Sequence, residues 1–337
     1  MAGPREDDDV IIVTGGLGFI GSHVVDAYLD RGRQVTVVDS MVASVTDGRE
    51  FDERPGCTVV RAPVEDWLAG GGSLAGAELV VHAAAHVGPA GILKHAGRLG
   101  ADIVRATSAV VDACVDADVA LCTFSSAEVY GRSGLLGEKD DIRVPTDYNA
   151  RIEYAIAKSL TEAMTINSAQ RGLRGFVIRP FNVAGARQSR AGGFVMPTFV
   201  QQALVGRPLT VFATGTQVRA FTAASDLTRF LTDHAEAALV SENRIYNIGN
   251  PANATTIWDL AVRVKSLLGS DSPVVYADAR QIHGPTYAEA ESFEKVPVLD
   301  AALALGWEPV ADLDDLILET ARHYTEHLDT RGADAPL

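Results

Sequence analysis

The run Val10-Ile11-Ile12-Val13-Thr14, followed by Gly15-Gly16-Leu17-Gly18-Phe19-Ile20-Gly21, constrains the fold more than any other feature of this chain. A short apolar strand leads into glycines at 15, 18 and 21, and a helical pattern runs from about Gly18 to Arg31. In such a turn the first glycine permits the tight bend. The second lets backbone approach a pyrophosphate, and the third packs the helix against the strand. The helix N-terminus offers N–H groups and a positive dipole end to phosphate. Asp39 ends a second strand, Gln34 to Val38. A carboxylate there accepts hydrogen bonds from a ribose 2′-hydroxyl and repels a 2′-phosphate, so the reading favours NAD over NADP.

The same alternation continues. Thr58–Arg61, Leu79–His82, Val119–Ser125 and Arg174–Ile178 read as short apolar strands, the last ended by Pro180. Helical patterns cover about 101–116 and 149–171. Strands alternating with helices imply right-handed βαβ units, and nearly all-apolar strands imply a parallel sheet covered on both faces. The expected class is α/β: a Rossmann-type doubly wound parallel sheet with a smaller C-terminal substrate-binding lobe. After Pro180 the rhythm breaks, with Ile245–Ile248 expected to rejoin the sheet and helices expected at Thr256–Leu268 and Leu313–Leu328. The expected division is a loose tail at 1–9, an NAD-binding domain at 10–182, a lobe mainly at 183–329 and a loose tail at 330–337. The lobe is expected across the C-terminal edge of the sheet, where open α/β sheets bind ligands.

Composition narrows the partners. The net charge is −15 and no basic patch stands out, which argues against nucleic acid or an anionic membrane. Cys57, Cys114 and Cys122 lack metal-ligand spacing, so a reduced cytoplasmic setting and no metal are expected. Met1–Asp9 is polar and acidic, unlike a signal peptide or an anchor.

Tyr154 and Lys158, four residues apart, share one face of a helix. An ammonium beside a phenol favours the phenolate. Bringing a tyrosine from ~10 to near neutrality takes roughly 4 kcal/mol, which a cation and a charged cofactor can supply together. Ser126 lies at a strand end before this pair. Ala83, Ala84 and Ala85 let a cofactor lie close over the sheet edge, and His82 reads as a satisfied buried histidine.

With these features in place, the chain resembles extended short-chain dehydrogenase/reductases of the NAD-dependent nucleotide-sugar epimerase and dehydratase group. The residues that carry the resemblance are Thr14–Gly21, Asp39, His82–Ala85, Phe124–Gly131, Tyr154 with Lys158, Arg179–Val183, Gly215–Phe221 and Leu305–Pro309. The resemblance implies that Ser126 orients the sugar oxygen, Tyr154 is the acid/base, and Lys158 holds the nicotinamide ribose. It implies cofactor contacts from Gly15, Gly18, Phe19, Ile20, Asp39, Ser40, Val64, Ala83, Ala84, Ala85 and Ser125. It also implies substrate contacts from Asn182, Val195, Phe212, Arg219 and Lys295. Tyr130 is expected to be structural, and a homodimer is expected through helices 101–116 and 149–171. Pro63 stands where a carboxylate near the adenine is frequent, with Asp66 or the Val64 backbone as substitutes.

The reaction is less fixed. All outcomes begin by oxidising C4 of the sugar. A 4,6-dehydratase needs an acid that Ala127 cannot be. Glu128, taken with Ser126, Tyr154 and Lys158 as a candidate catalytic residue, the stretch His283–Tyr287 and Lys295-Val296-Pro297 resemble a UDP-glucuronate decarboxylase, with lysine where arginine is usual. The expectation is a 4-epimerase acting on a UDP-sugar, possibly a UDP-uronic acid, with Arg187, Arg190 or Lys295 as carboxylate partners. Decarboxylation is the alternative, ahead of a non-catalytic NAD-binding sensor.

Overall fold

The computed structural model describes residues 10–85, 88–131, 136–142, 144, 146, 148–278 and 294–328. Both expected tails and the His283–Tyr287 stretch lie outside them.

Seven strands form one parallel sheet in the order β11-β6-β5-β4-β1-β2-β3. They are β1 (Val10–Thr14), β2 (Gln34–Asp39), β3 (Cys57–Arg61), β4 (Ala77–His82), β5 (Ala120–Phe124), β6 (Gly175–Pro180) and β11 (Ile245–Ile248). Chain order reverses between β1 and β4, which leaves a crevice at the C-terminal ends of the strands. The register aligns those ends: Thr14 sits opposite Val38 on one side and His82 on the other. The glycine turn, Asp39 and Ala83–Ala85 therefore emerge together.

Period-two alternation along each strand divides the core. Ile11 and Val13 face α1 (Phe19–Leu29) and α8 (Ala224–Val240), whereas Ile12 faces α3 (Val64–Ala69) and α5 (Leu99–Ala117). The helix α8, which the sequence rhythm does not announce, packs on α1. It buries Leu227, Phe230 and Leu231, each contributing about 1.5–3 kcal/mol. Trp307, fully buried, meets Phe230 edge-on at 5.8 Å.

The helix α6 (Ala150–Asn167) packs on α5. Its N-cap, Asn149, accepts hydrogen bonds from the Arg151 and Ile152 N–H groups. Ile103, Val110 and Val111, on the helix expected to join a dimer, are buried in the chain's own cores. Exposed apolar side chains on α6 are instead Ile156 and Leu160.

A second core joins α7 (Val195–Leu204), β8 (Leu209–Phe212), α9 (Ile257–Leu267) and the helix Leu313–Leu328 through Phe199, Val211, Leu260 and Ile317. A separate small sheet joins β12 (Ala254–Thr256), β9 (Val218–Ala220) and β14 (Glu294–Lys295). It sets Lys295 opposite Arg219.

Candidate active site

The glycine turn is a cradle that side chains would fill. Gly15 has φ +71°, and a Cβ there would lie 2.8 Å from the Ala84 Cα. A Cβ on Gly21 would lie 2.0 Å from the Gly15 carbonyl oxygen. Gly18 is the N-cap of α1 and makes no side-chain cap, and the first turn of α1, with half-buried Phe19 and Ile20, has no acidic residue. Its N–H groups and dipole thus point to the crevice without an internal anion. These features fit the pyrophosphate of a dinucleotide.

Asp39 is buried at the end of β2. One oxygen accepts from Leu17 N–H at 2.9 Å, and the other from Met41 N–H at 2.8 Å and Ser44 Oγ at 2.9 Å. A carboxylate offers about four acceptor positions, so this set leaves capacity for a ribose hydroxyl. Ser40 beside it is exposed. Val64 is the buried first residue of α3, and Pro63 is that helix's N-cap. Ala83–Ala85 follow β4, with Ala83 N–H bonded to the Thr14 carbonyl.

His82 has both ring nitrogens engaged, by Thr14 Oγ1 at 2.7 Å and Thr107 Oγ1 at 3.1 Å. Burial and then the Lys158 charge pull its pKa down to about 3. It is a neutral core residue.

Tyr154 and Lys158 are 4% and 3% exposed. The Lys158 ammonium donates to the Phe124 carbonyl at 2.7 Å and lies 5.9 Å from the Tyr154 ring centroid. Burial lowers the Lys158 pKa to about 8, and Glu162 opposes it. Burial raises the Tyr154 pKa, Ser126 opposes with a hydrogen bond, and the Glu128 charge raises it further. Lowering it falls to the positive charge of an oxidised nicotinamide together with Lys158.

Ser126 caps the Ala127–Tyr130 turn, its Oγ accepting from Glu128 N–H at 3.2 Å. Ser125, expected at the cofactor, donates its hydroxyl to Glu162 Oε1. Tyr130 is fully buried and hydrogen-bonded to Asn247 and Arg179, a structural placement.

The residues expected at the substrate lie at and beyond the end of β6. Asn182, at φ +40° after β6, donates to the Ala220 carbonyl at 3.2 Å. Val195 starts α7, whose N-cap Phe194 makes no side-chain cap, and half-buried Phe212 ends β8. Arg219 is 7% exposed. Lys295, 4% exposed, donates to Glu128 Oε1 at 2.5 Å. Burial pushes the Glu128 carboxyl up, but Lys295, Arg151 and Arg219 outweigh it and hold the pKa at about 2. Burial lowers the Lys295 pKa and Glu128 opposes it. Arg151 was not anticipated from sequence, because it lies in the first turn of α6 rather than in a motif. Arg187 is not presented as a carboxylate partner: it pairs with Asp26 at 2.5 Å and contacts His23 on α1.

This fold and site define a dinucleotide-dependent enzyme in which half-buried Ser126 stands with buried Tyr154 and Lys158. Residues 11–249 match the NAD dependent epimerase/dehydratase family, and the chain belongs to that family. NAD is its cofactor. Among curated relatives, UDP-glucuronic acid decarboxylase 1 of Danio rerio is 27% identical, covering 96% of this chain and 75% of that protein. UDP-N-acetyl-alpha-D-glucosaminuronate decarboxylase of Bacillus cytotoxicus is 27% identical, covering 85% of this chain and 87% of that protein. A UDP-glucose 4-epimerase structure with UDP-glucose from Thermotoga maritima is 26% identical, with TM-score 0.80, and covers 95% of this chain and 99% of that one. The chain is thus an enzyme of the nucleotide-sugar epimerase, decarboxylase and dehydratase superfamily.

Proposed function

We propose that this enzyme oxidises C4 of a UDP-linked uronic acid and releases its carboxyl group as CO2. The observation that carries this reading is the part-buried Glu128–Lys295 pair, with Arg151 and Arg219 close enough to act on both charges. Sequence alone places 4-epimerisation first, and this pair moves decarboxylation ahead of it.

When bound, NAD accepts the hydride from C4 and later returns it. Ser126 orients the C4 hydroxyl, and Tyr154 as phenolate takes its proton. Lys158 holds the nicotinamide ribose. The resulting 4-ketone makes the C5 carboxylate a β-keto acid. The C5–C6 bond then breaks, its electron pair moves into the C4 carbonyl as an enolate, and CO2 leaves. A proton from water returns to C5. Loss of neutral CO2 requires no general acid at the leaving group, which suits an ionised Glu128 and a mute Ala127. A 4,6-dehydratase would need such an acid. Lys295 anchors the substrate carboxylate, with Glu128 fixing the ammonium, while Arg219 and Asn182 take the diphosphate.

The second reading is 4-epimerisation, favoured because Ser126, Tyr154 and Lys158 suffice for it without Glu128. Purified enzyme with NAD and UDP-glucuronate separates the two: CO2 release with a UDP-pentose product supports decarboxylation, and a product of unchanged mass supports epimerisation. Tyr154→Phe with undiminished turnover would overturn both. A homodimer through the α5–α6 face, where Ile156 and Leu160 are exposed, completes the proposal.

A further inference from the structure

Tyr154, Lys158 and Glu162 follow at four-residue spacing on one face of α6, and all three are buried. The first two have roles in the proposed chemistry; the third has none. Its carboxylate is nevertheless closely held. Arg179 grips it through Nε at 2.8 Å and Nη2 at 2.6 Å, and Ser125 Oγ donates to Oε1. Arg179 also donates to the Tyr130 hydroxyl at 2.7 Å, and that hydroxyl donates to Asn247 Oδ1 at 2.8 Å. A buried ion pair of this kind is frequently no more stabilising than apolar residues of the same volume. Stability alone is therefore a weak account of why two charges sit behind the catalytic lysine.

The hydrogen bonds suggest another account. Both Glu162 oxygens are engaged by Arg179, so the carboxylate cannot swing onto the Lys158 ammonium. Among the described residues the ammonium makes one hydrogen bond, to the Phe124 carbonyl. Its other N–H donors are left for a ligand.

We propose that Glu162, clamped by Arg179 and Ser125, is a positioning residue that holds Lys158 in its charged form while leaving the ammonium's donors to the cofactor ribose. This rests on the reading above of Lys158 as the ribose-holding lysine.

The electrostatics agree. Burial drives Lys158 toward the neutral amine, and Glu162 is the charge that opposes it. Of the other groups that face this position, His82 on β4 is neutral, Tyr154 is protonated and Arg179 on β6 is cationic. On α5, Asp102 pairs with Arg105 and Asp112 with Arg171 at the surface, and Lys94 on the helix Pro89–Lys94 is exposed. Glu153, near the start of α6, binds the Gly97 and Gly100 N–H groups, and Glu128 is tied to Lys295. Removing the Glu162 charge leaves burial unopposed, so the Lys158 pKa falls further.

The test reads Lys158 directly. The chain has five lysines, Lys94, Lys139, Lys158, Lys265 and Lys295, so lysine-selective ¹⁵N labelling gives a side-chain spectrum simple enough to assign with Lys158→Met. Glu162→Gln is expected to lower the Lys158 titration midpoint by about one pH unit or more. The high-pH limb of kcat/KM on UDP-glucuronate should move down with it. If Glu162→Gln does not fold, Glu162→Asp carries the test: retracting the carboxylate by one methylene shifts the midpoint in the same direction by less. A midpoint that stays or rises in the folded variant overturns the proposal. If the wild type turns over no uronic acid, the functional reading fails while the titration still decides the role of Glu162.

Discussion

Lys295 Nζ lies 2.5 Å from Glu128 Oε1, joining residues 167 positions apart on opposite sides of the crevice. Removing one partner of a fully buried pair costs about 3–5 kcal/mol. Glu128 keeps 26% of its side chain exposed and has Arg151 and Arg219 acting on it, so the cost here is smaller. Lys295→Met is therefore expected to be destabilised by about 1–3 kcal/mol, and Glu128→Gln/Lys295→Met to recover part of that loss. Urea unfolding of the four proteins forms a double-mutant cycle that checks it. The pH sign follows from the depressed carboxyl. Glu128 contributes its stability fully above its unfolded pKa of ~4.3 and loses it as pH falls toward about 2. In the Lys295→Met protein this acid-range loss should shrink, with only Arg151 and Arg219 left to hold the carboxyl down.

His82 predicts a second loss on acidification, in a higher pH window and from a neutral group. Its pKa is lowered to about 3 in the folded protein, so between pH ~6.5 and 3 the unfolded chain binds the extra proton. Stability from this residue is complete above pH ~6.5 and falls by about 1.4 kcal/mol per pH unit below it. The urea midpoint should drop from pH 7 to pH 5. In His82→Gln, which retains polar groups toward Thr14 and Thr107, the drop should be shallower. Equal slopes in the two proteins would contradict a neutral His82.

Much of this was legible because it is periodic or local. The strands β1 to β6 and β11 are short apolar runs between helical patterns, and the glycine turn with Asp39 announces a crossover at the sheet edge. Contacts between distant short segments leave no such trace. The two-residue strand that carries Lys295 has no periodic signal, and only its pairing with β9 sets it opposite Arg219. The helix α8 follows two very short strands, so the βαβ rhythm offers no cue for it. Glu162 continues the Tyr154–Lys158 spacing, and that spacing is the signal that would have found it. The raised Tyr154 pKa follows from burial, a quantity no motif reports.

Gly15 and Gly21 separate cofactor binding from general stability. NAD at a hundred times its Kd should stabilise the wild type by about 2.7 kcal/mol, read as a rise in Tm. Gly15→Ala places a methyl against Ala84 and Gly21→Ala against the Gly15 carbonyl, so both should lose the NAD-dependent rise. Gly32→Ala is the control. It shares a positive φ of 74° but meets nothing within 4 Å, so it should lose roughly 1–2 kcal/mol to strain and keep the NAD response.

Ile156 and Leu160 are 39% and 47% exposed on α6, four residues apart and thus on one face. Leu160 also lines a surface depression with Val111, Ala163 and Met164 between α5 and α6. If a second copy covers this face, a carboxylate placed there must be desolvated against apolar side chains, a cost that weakens association. Ile156→Asp and Leu160→Asp are therefore expected to shift the protein from dimer to monomer in sedimentation velocity. Both positions point away from the chain's own core, so the monomer should stay folded, with far-UV circular dichroism unchanged. A wild-type protein that sediments as a monomer at micromolar concentration would remove the dimer from the proposal and leave the catalytic reading intact, because Ser126, Tyr154, Lys158, Glu128 and Lys295 all come from one chain.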